Sequence, residues 1–466
     1  KYFGAVIGDG SFTNGMTYEA LDMCADYSQL KLIIVVNDNE MSISKNVGGL
    51  SKHFSRIRER KAYYDFKVGL EKALGRRLAV FFKKIKDSIK QLVVGNTIFD
   101  SLGISYLGSV DGNDEERLEH VFSEAKRRSV SCVVHVKTKK GKGYELAEQR
   151  PDKYHSVAPF DRENGISESS HGFSDEFGKM LVDMAGKDDK ICAVTAAMLD
   201  GTGLMEFGKK YPERFFDVGI AEEHATTFCA GLALGGYKPV FAVYSTFSQR
   251  IFDQMLHDVS LQRAHVVFAV DRAGLVSGDG KTHHGIFDVS MMSAVPDMRI
   301  YSPDSYEEMR NCFEKAICEN YPAAVRYPKG AETVYDRSVF FGDYVKCSSK
   351  DDCPIVIITY SRLVGCALEV EKLTSGVKTV KLVKLFPLDI DEIKKHLCKT
   401  KLVYVLEEGI KSGGVGEKLA SMLDIPVYIH AIDGFVEHGD LQSLDAILGF
   451  TPKAVAENIE KIKKTL

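Results

Sequence analysis

From its first residues almost to its last, this chain alternates short apolar runs of strand length with longer amphipathic stretches of helical length. Few architectures tolerate that rhythm. A strand can be followed by a parallel neighbour only through a crossover, and a helix laid on the sheet is the usual crossover. The expected fold is therefore α/β, with doubly wound, mostly parallel sheets covered by helices. At 466 residues and 44% hydrophobic content the chain is too long for one core and apolar enough for several.

Three domains are expected. The first, 1–172, opens with a strand at Tyr2 to Ile7, a helix at Thr17 to Tyr27 and a strand at Leu32 to Val36. A charged excursion follows over Ser42 to Lys90, then a helix at Glu115 to Arg128, a strand at Cys132 to Lys137 and a polar linker over 148–172. The second, 173–345, carries strands at Ile191 to Thr195, Phe215 to Ile220, Pro239 to Tyr244 and Val266 to Val270. Helices at Ser174 to Ala185, Glu222 to Leu234 and Gln249 to Leu261 connect them. The third, 346–466, has strands at Ile355 to Thr359, Val380 to Leu385, Leu402 to Leu406 and Val427 to His430, with helices at Ala367 to Leu373 and Ile390 to His396.

Charge narrows the function classes. With 61 basic and 65 acidic residues the formal charge is −4, which gives no broad electrostatic footprint for nucleic acid. The ten cysteines are scattered without a CxxC pair, as in a reduced intracellular protein. No apolar run approaches the roughly 18 to 20 residues of a membrane span. A cytoplasmic protein is expected, or a plastid stromal one after removal of a transit peptide.

Two strand tips in the first domain carry chemistry. Gly8-Asp9-Gly10 follows the first strand, and Asn37-Asp38-Asn39 ends the second. In a parallel sheet both tips emerge at the carboxyl edge, where α/β proteins bind ligands. Glycines allow backbone to approach a phosphate, and Asp9 with Asn39 offers hard oxygen donors suited to magnesium. A plain βα turn explains a lone Gly-Asp-Gly equally well, and Asp38 reads as a turn former. Further on, Asp217 to His224 runs from a strand into a helix start. Of its two glutamates, Glu223 fits an ordinary first-turn dipole residue, and Glu222 fits a buried carboxylate. Phe247 follows the next strand and is either a core phenylalanine or a flat apolar surface for an aromatic ligand. Arg272 and Arg326 lie at strand ends, and a Gly-rich loop between them carries Asp279 and His283. Two arginines with such a loop suit a phosphate monoester and a polar substrate mouth.

The stretches GIAEEHATTFCAGLALGGYKPVFAVYSTFSQR, DRAGLVSGDGKTHHGIFD and AVRYPKG, with NDNEMSIS, TKKGKGYELAE, KLFPLD and SGGVGEKLA, resemble the 1-deoxy-D-xylulose-5-phosphate synthase family. These are thiamine-diphosphate enzymes of transketolase type, and the likeness covers essentially the whole chain. The resemblance implies condensation of pyruvate with D-glyceraldehyde 3-phosphate, with loss of carbon dioxide, to 1-deoxy-D-xylulose 5-phosphate. It implies that Gly8, Asp9 and Gly10 receive the diphosphate, and that Asp9, the Asn39 side chain and the Met41 carbonyl hold magnesium. Glu222 would activate the cofactor and Phe247 would stack on its aminopyrimidine. Arg272 and Arg326 would bind the acceptor's phosphate, Asp279 and His283 would contact its hydroxyl and carbonyl, and Tyr244 would line the pocket, with Tyr144 and His155 at its border. A homodimer is implied. Family members begin well before the Gly-Asp-Gly strand, so a truncated chain, or a companion chain carrying the front segment, is expected. Transketolase-type ketol transfer and a non-catalytic phosphate-binding scaffold remain as rival readings.

Overall fold

The computed structural model of the chain describes residues 3–27, 29–39, 97–155, 157, 159–166 and 171–465. The expected excursion over Ser42 to Lys90 lies outside them. Residues 1–167 with Val218–Ala221 form one compact unit, and residues 168–217 with 222–466 form another.

In the first unit, β1 (Phe3–Gly8), β2 (Leu32–Asp38), β3 (Ser105–Asp111) and β4 (Cys132–Lys137) make a sheet in the order β1-β2-β4-β3, parallel throughout. Helix α1 (Gly15–Asp26) connects β1 to β2, its first turn capped by the Asn14 side chain, which accepts from Met16 N. Helix α2 (Glu115–Arg127) connects β3 to β4. It is capped by Asp114 and follows the dipole, with Glu115 and Glu116 in its first turn and Lys126 and Arg127 in its last. Register places Gly8 opposite Asn37, and Asp38 opposite Lys137, so the carboxyl ends of β1, β2 and β4 share one edge.

In the second unit, α3 (Phe173–Ala185), β5 (Ile191–Thr195), β6 (Phe215–Asp217), α4 (Glu222–Leu234), β7 (Lys238–Tyr244), β8 (Val267–Asp271), β9 (Arg299–Tyr301), α5 (Tyr306–Cys318) and β10 (Ala323–Arg326) build the second sheet and its helices. Phe173, Phe177, Phe313 and Tyr327 pack α3 and α5 onto it. The third sheet uses β11 (Val345–Cys347), β12 (Ile355–Thr359), β13 (Val377–Leu382), β15 (Leu402–Ile410) and β16 (Val427–Ile432). Its helices are α6 (Leu363–Leu373), α7 (Val415–Met422), α8 (Leu441–Leu448) and α9 (Pro452–Lys463). All pairings in these two sheets are parallel except that of β11 with β13 and that of one crossing strand.

That strand corrects an expectation. The single strand expected over Val380 to Leu385 ends at Leu382. The chain then passes Val383, whose N–H bonds Tyr344 O and whose carbonyl accepts from Ser302 N, and continues as β14 (Lys384–Phe386) antiparallel to β9 of the second sheet. The helix expected over Gln249 to Leu261 is also different: a 3-10 segment, Ser245–Ile251, leads through a short turn into a π-helix, Met255–Ser260. The Ser248 hydroxyl donates to the Ser245 carbonyl, competing with the α-helical ladder where that helix would begin. The strand from Phe215 stops at Asp217 rather than Ile220.

Candidate functional site

In the first unit, Gly8 ends β1 and Asp9 opens a helical turn, Asp9–Phe12, at the sheet's carboxyl edge. A Cβ added at Gly8 would meet nothing within 4 Å among the described residues. Asp9 is buried with Gly10, while Asn39, one residue past β2, is half-buried. Met41 lies outside the described residues. Asp38 is the last residue of β2, and its Oδ2 sits 2.7 Å from His135 Nε2, whose Nδ1 meets the Tyr106 hydroxyl at 2.6 Å. Asn37 Oδ1 accepts from the Thr138 hydroxyl at 2.7 Å, which fixes the same tip from its other side.

Burial lowers the pKa of the Lys140 ammonium, opposed by the carboxylates of Asp9 and Asp152, and burial with the Lys140 charge lowers that of His155. Lys140, Asp9 and His155 thus share one electrostatic neighbourhood. Tyr144 stands beside Tyr154 and Phe160 in an aromatic group, its hydroxyl donating to Arg162 O at 2.9 Å.

In the second unit, Glu222 begins α4 and is only 3% exposed. Burial raises its carboxyl above the ordinary range, with the Arg250 charge opposing. Arg250 Nε is 3.2 Å from Glu222 Oε2, but the guanidinium aims its N–H bonds at Glu223 Oε1, at 3.3 and 3.1 Å. Glu222 Oε2 is therefore ion-paired yet without a hydrogen-bond partner among the described residues. Glu223 takes the role of an ordinary surface ion pair.

Five expected residues come together around the loop after β8. Phe247 stacks on Tyr244 with centroids 5.8 Å apart and meets His283 edge-on at 5.6 Å. The Arg272 guanidinium lies 3.9 Å over the Tyr244 ring, and its Nη1 donates to Asp279 Oδ2 at 3.1 Å. Lys329 reaches the same oxygen at 2.7 Å. Arg272 has φ of 58°, a left-handed conformation that a non-glycine residue keeps only when its surroundings enforce it. Burial lowers the His283 imidazole pKa, so the ring is neutral near pH 7.

Arg326 ends β10, the strand end the sequence suggests, and is buried there. It is 2% exposed, donating Nε to Asp288 Oδ2 at 2.9 Å and Nη1 to the Ser302 hydroxyl at 3.1 Å. Its Nη2, like Arg272 Nε, has no hydrogen-bond partner among the described residues. Lys329, Arg250 and Asp288 escaped notice although each stands in a stretch already singled out. Nothing local distinguishes them, since their importance comes from partners that are distant in sequence.

Three family models match in chain order: "1-deoxy-D-xylulose-5-phosphate synthase" at residues 2–138, "Transketolase, pyrimidine binding domain" at 172–333 and "Transketolase, C-terminal domain" at 344–455. The 1-deoxy-D-xylulose-5-phosphate synthase of Caldanaerobacter subterraneus is 44% identical over 481 residues, covering 98% of this chain and 76% of that protein. That of Clostridium acetobutylicum is 41% identical over 479 residues, covering 98% and 77%. Among solved structures, transketolase from Campylobacter jejuni superposes with a TM-score of 0.55 over 99% of this chain and 77% of its own, at 16% identity, a likeness of fold. With this identity sustained across nearly its whole length, the chain belongs to the 1-deoxy-D-xylulose-5-phosphate synthase family.

Proposed function

We propose that this protein condenses pyruvate with D-glyceraldehyde 3-phosphate, releasing carbon dioxide and forming 1-deoxy-D-xylulose 5-phosphate, with thiamine diphosphate and magnesium as cofactors. The observation that carries the reading is Glu222: a buried carboxyl at a helix start, raised in pKa, with one oxygen lacking a hydrogen-bond partner among the described residues. A carboxyl so placed suits a proton shared with a ring nitrogen, which is what thiamine activation requires. The residues at the β1 and β2 tips have the chemistry that a diphosphate and magnesium require. Gly8 puts no side chain over its backbone, Gly10 lies in the turn beyond it, and Asp9 and Asn39 supply oxygen donors, with Met41 as the third. Among the described residues no group of three or more His, Cys, Asp or Glu could hold a metal. By the family resemblance the ion would rest on Asp9, Asn39, the Met41 carbonyl and the phosphates themselves.

When bound, thiamine diphosphate supplies the electron sink for decarboxylation. The chain's own residues do the rest. Glu222 holds a proton at the aminopyrimidine, and Phe247 offers that ring a flat apolar face. Arg272 and Arg326 each keep a nitrogen for the acceptor's phosphate, and Tyr244 walls the pocket under Arg272. Neutral His283 and Asp279, the latter pinned by Arg272 and Lys329, meet the acceptor's carbonyl and hydroxyl. Tyr144 and His155 border the cofactor side.

A homodimer belongs to this reading, supported by Leu234, Tyr237 and Leu261, which are exposed on the second unit. The test is release of carbon dioxide from carboxyl-labelled pyruvate. It should require glyceraldehyde 3-phosphate, thiamine diphosphate and magnesium together; no carbon dioxide from pyruvate, with a two-carbon ketol unit transferred from a sugar-phosphate donor to an aldehyde, would favour transketolase chemistry instead.

A further inference from the structure

The loop that carries Arg272 is held by a carboxylate from the third sheet. Glu408, on β15, is 3% exposed, and its Oε1 accepts from Leu275 N at 3.0 Å. A Cβ at Gly274 would stand 2.5 Å from Glu408 Oε2, so the loop backbone is pressed directly onto the carboxylate. Only a glycine allows that approach, and Gly274 has φ of 82° as well. Arg362, just ahead of α6, donates Nε to the same Glu408 oxygen at 2.7 Å and both terminal nitrogens to Asp445, at 2.8 and 2.6 Å. Glu408 is thus held through one oxygen by an arginine whose terminal fork is itself fixed by Asp445.

Other anchors come from the second sheet, from the loop's own turn and, beyond Val276, from the third domain, where Gly278 N meets Gly439 O at 3.5 Å and His284 Nε2 lies 3.2 Å from Glu437 O. Ala273 N bonds Tyr327 O at 2.9 Å, Gly274 and Gly285 exchange two backbone bonds, and Val276 N donates to His284 Nδ1 at 3.0 Å. Glu408 supplies the anchor at Leu275, three residues past a side chain whose left-handed backbone must be enforced from outside. The negative charge of Glu408 also acts on Arg326, adding to that of Asp288. One buried carboxylate therefore bears on both arginines.

We propose that Glu408, clamped by Arg362, is a positioning residue for the acceptor's phosphate, so that the third domain sets affinity for phosphorylated aldehydes while making no contact with them. The inference rests on the reading that Arg272 binds that phosphate. The test compares Michaelis constants for glyceraldehyde 3-phosphate, unphosphorylated glyceraldehyde and pyruvate in the complete, cofactor-loaded enzyme. Glu408→Gln keeps the shape but removes the charge that holds Arg362. It should raise the constant for glyceraldehyde 3-phosphate about tenfold, leaving the other two constants and kcat within about twofold. Arg362→Lys keeps a charge but loses the fork, and should shift the same constant in the same direction; it also decides the matter if Glu408→Gln does not fold. Arg272→Ala is the control. If it abolishes the preference for the phosphorylated acceptor while both other variants retain it, the positioning role is overturned. If Arg272→Ala itself retains the preference, the reading of Arg272 falls first.

Discussion

Glu222 and Asp271 are both carboxyls removed from water, and they separate what burial does for function from what it does to stability. For Glu222, Glu222→Gln should leave thiamine diphosphate binding by calorimetry nearly intact while turnover falls by at least about 10²-fold, the scale of an essential acid–base partner. Proton exchange at the cofactor's reactive carbon, followed by NMR, should slow in step; exchange at the parent's rate would remove Glu222 from the role. Asp271 ends β8, fully buried, with the Ser174 hydroxyl donating to its Oδ2 at 2.7 Å, and burial pushes its pKa up to about 6. The folded state thus holds this proton more tightly than the unfolded chain. Its stabilising contribution is complete below pH about 4 and is lost as pH rises through about 6. Asp271→Asn should accordingly match the parent's stability near pH 4 and exceed it at pH 8, by on the order of 1–3 kcal/mol. Urea titrations at the two pH values check this, and equal differences at both would show that the carboxyl does not titrate as described.

At the scale of single elements, α3 shows a local preference overruled by packing. Gly178 sits inside this helix, where alanine is intrinsically favoured by about 1 kcal/mol. A Cβ there would lie 2.0 Å from Gly203 O, and one on Gly203 would lie 2.0 Å from Ser174 O, so helix and loop touch backbone to backbone. Gly178→Ala should therefore destabilise by about 1–3 kcal/mol despite the better propensity, and a thermal melt that rises would contradict the contact. The same division explains what could be read from the residues in advance. The apolar runs Cys132–Lys137, Ile191–Thr195 and Ile355–Thr359 form strands with the bounds their patterns indicate, and α4 begins and ends where its sequence suggests. By contrast β3, with Ser105, Gly108 and Ser109 among its seven residues, lacks an apolar rhythm and is made a strand by pairing with β4. Helices α5, α7 and α9 were also passed over, although Ser305 and Thr451 cap the first and last of them in the ordinary way. At the candidate site the residue types around Arg272 were legible. The interior placement of Arg326 was not, because Asp288 and Ser302 are its partners only after folding.

At the scale of the molecule, the second and third sheets are joined by more than surface contact. Lys381 on β13 reaches Asp304 at 2.7 Å and Glu308 at 2.9 Å, while Lys346 on β11 reaches Glu308 at 2.8 Å, and all but Lys346 are buried. The third sheet thus supplies the cations and the segment from β9 into α5 the anions. Removing one partner strands buried charge, so Lys381→Met should cost about 3–5 kcal/mol. Calorimetry should show residues 168–217 and 222–466 melting in one transition that this change lowers as a whole; separate melting of the two sheets would refute the coupling. The crossing strand β14 carries a consequence for inheritance. Family models treat the stretch beginning at residue 344 as a module, yet three residues inside it complete the edge of its neighbour's sheet. Recombination that exchanged the tail for a distant relative's would alter both partners at once. Lineages should therefore pass these two domains on together, their boundary sequences changing in concert, and a chimera joined near residue 340 should work only when Lys384–Phe386 and Arg299–Tyr301 descend from the same parent.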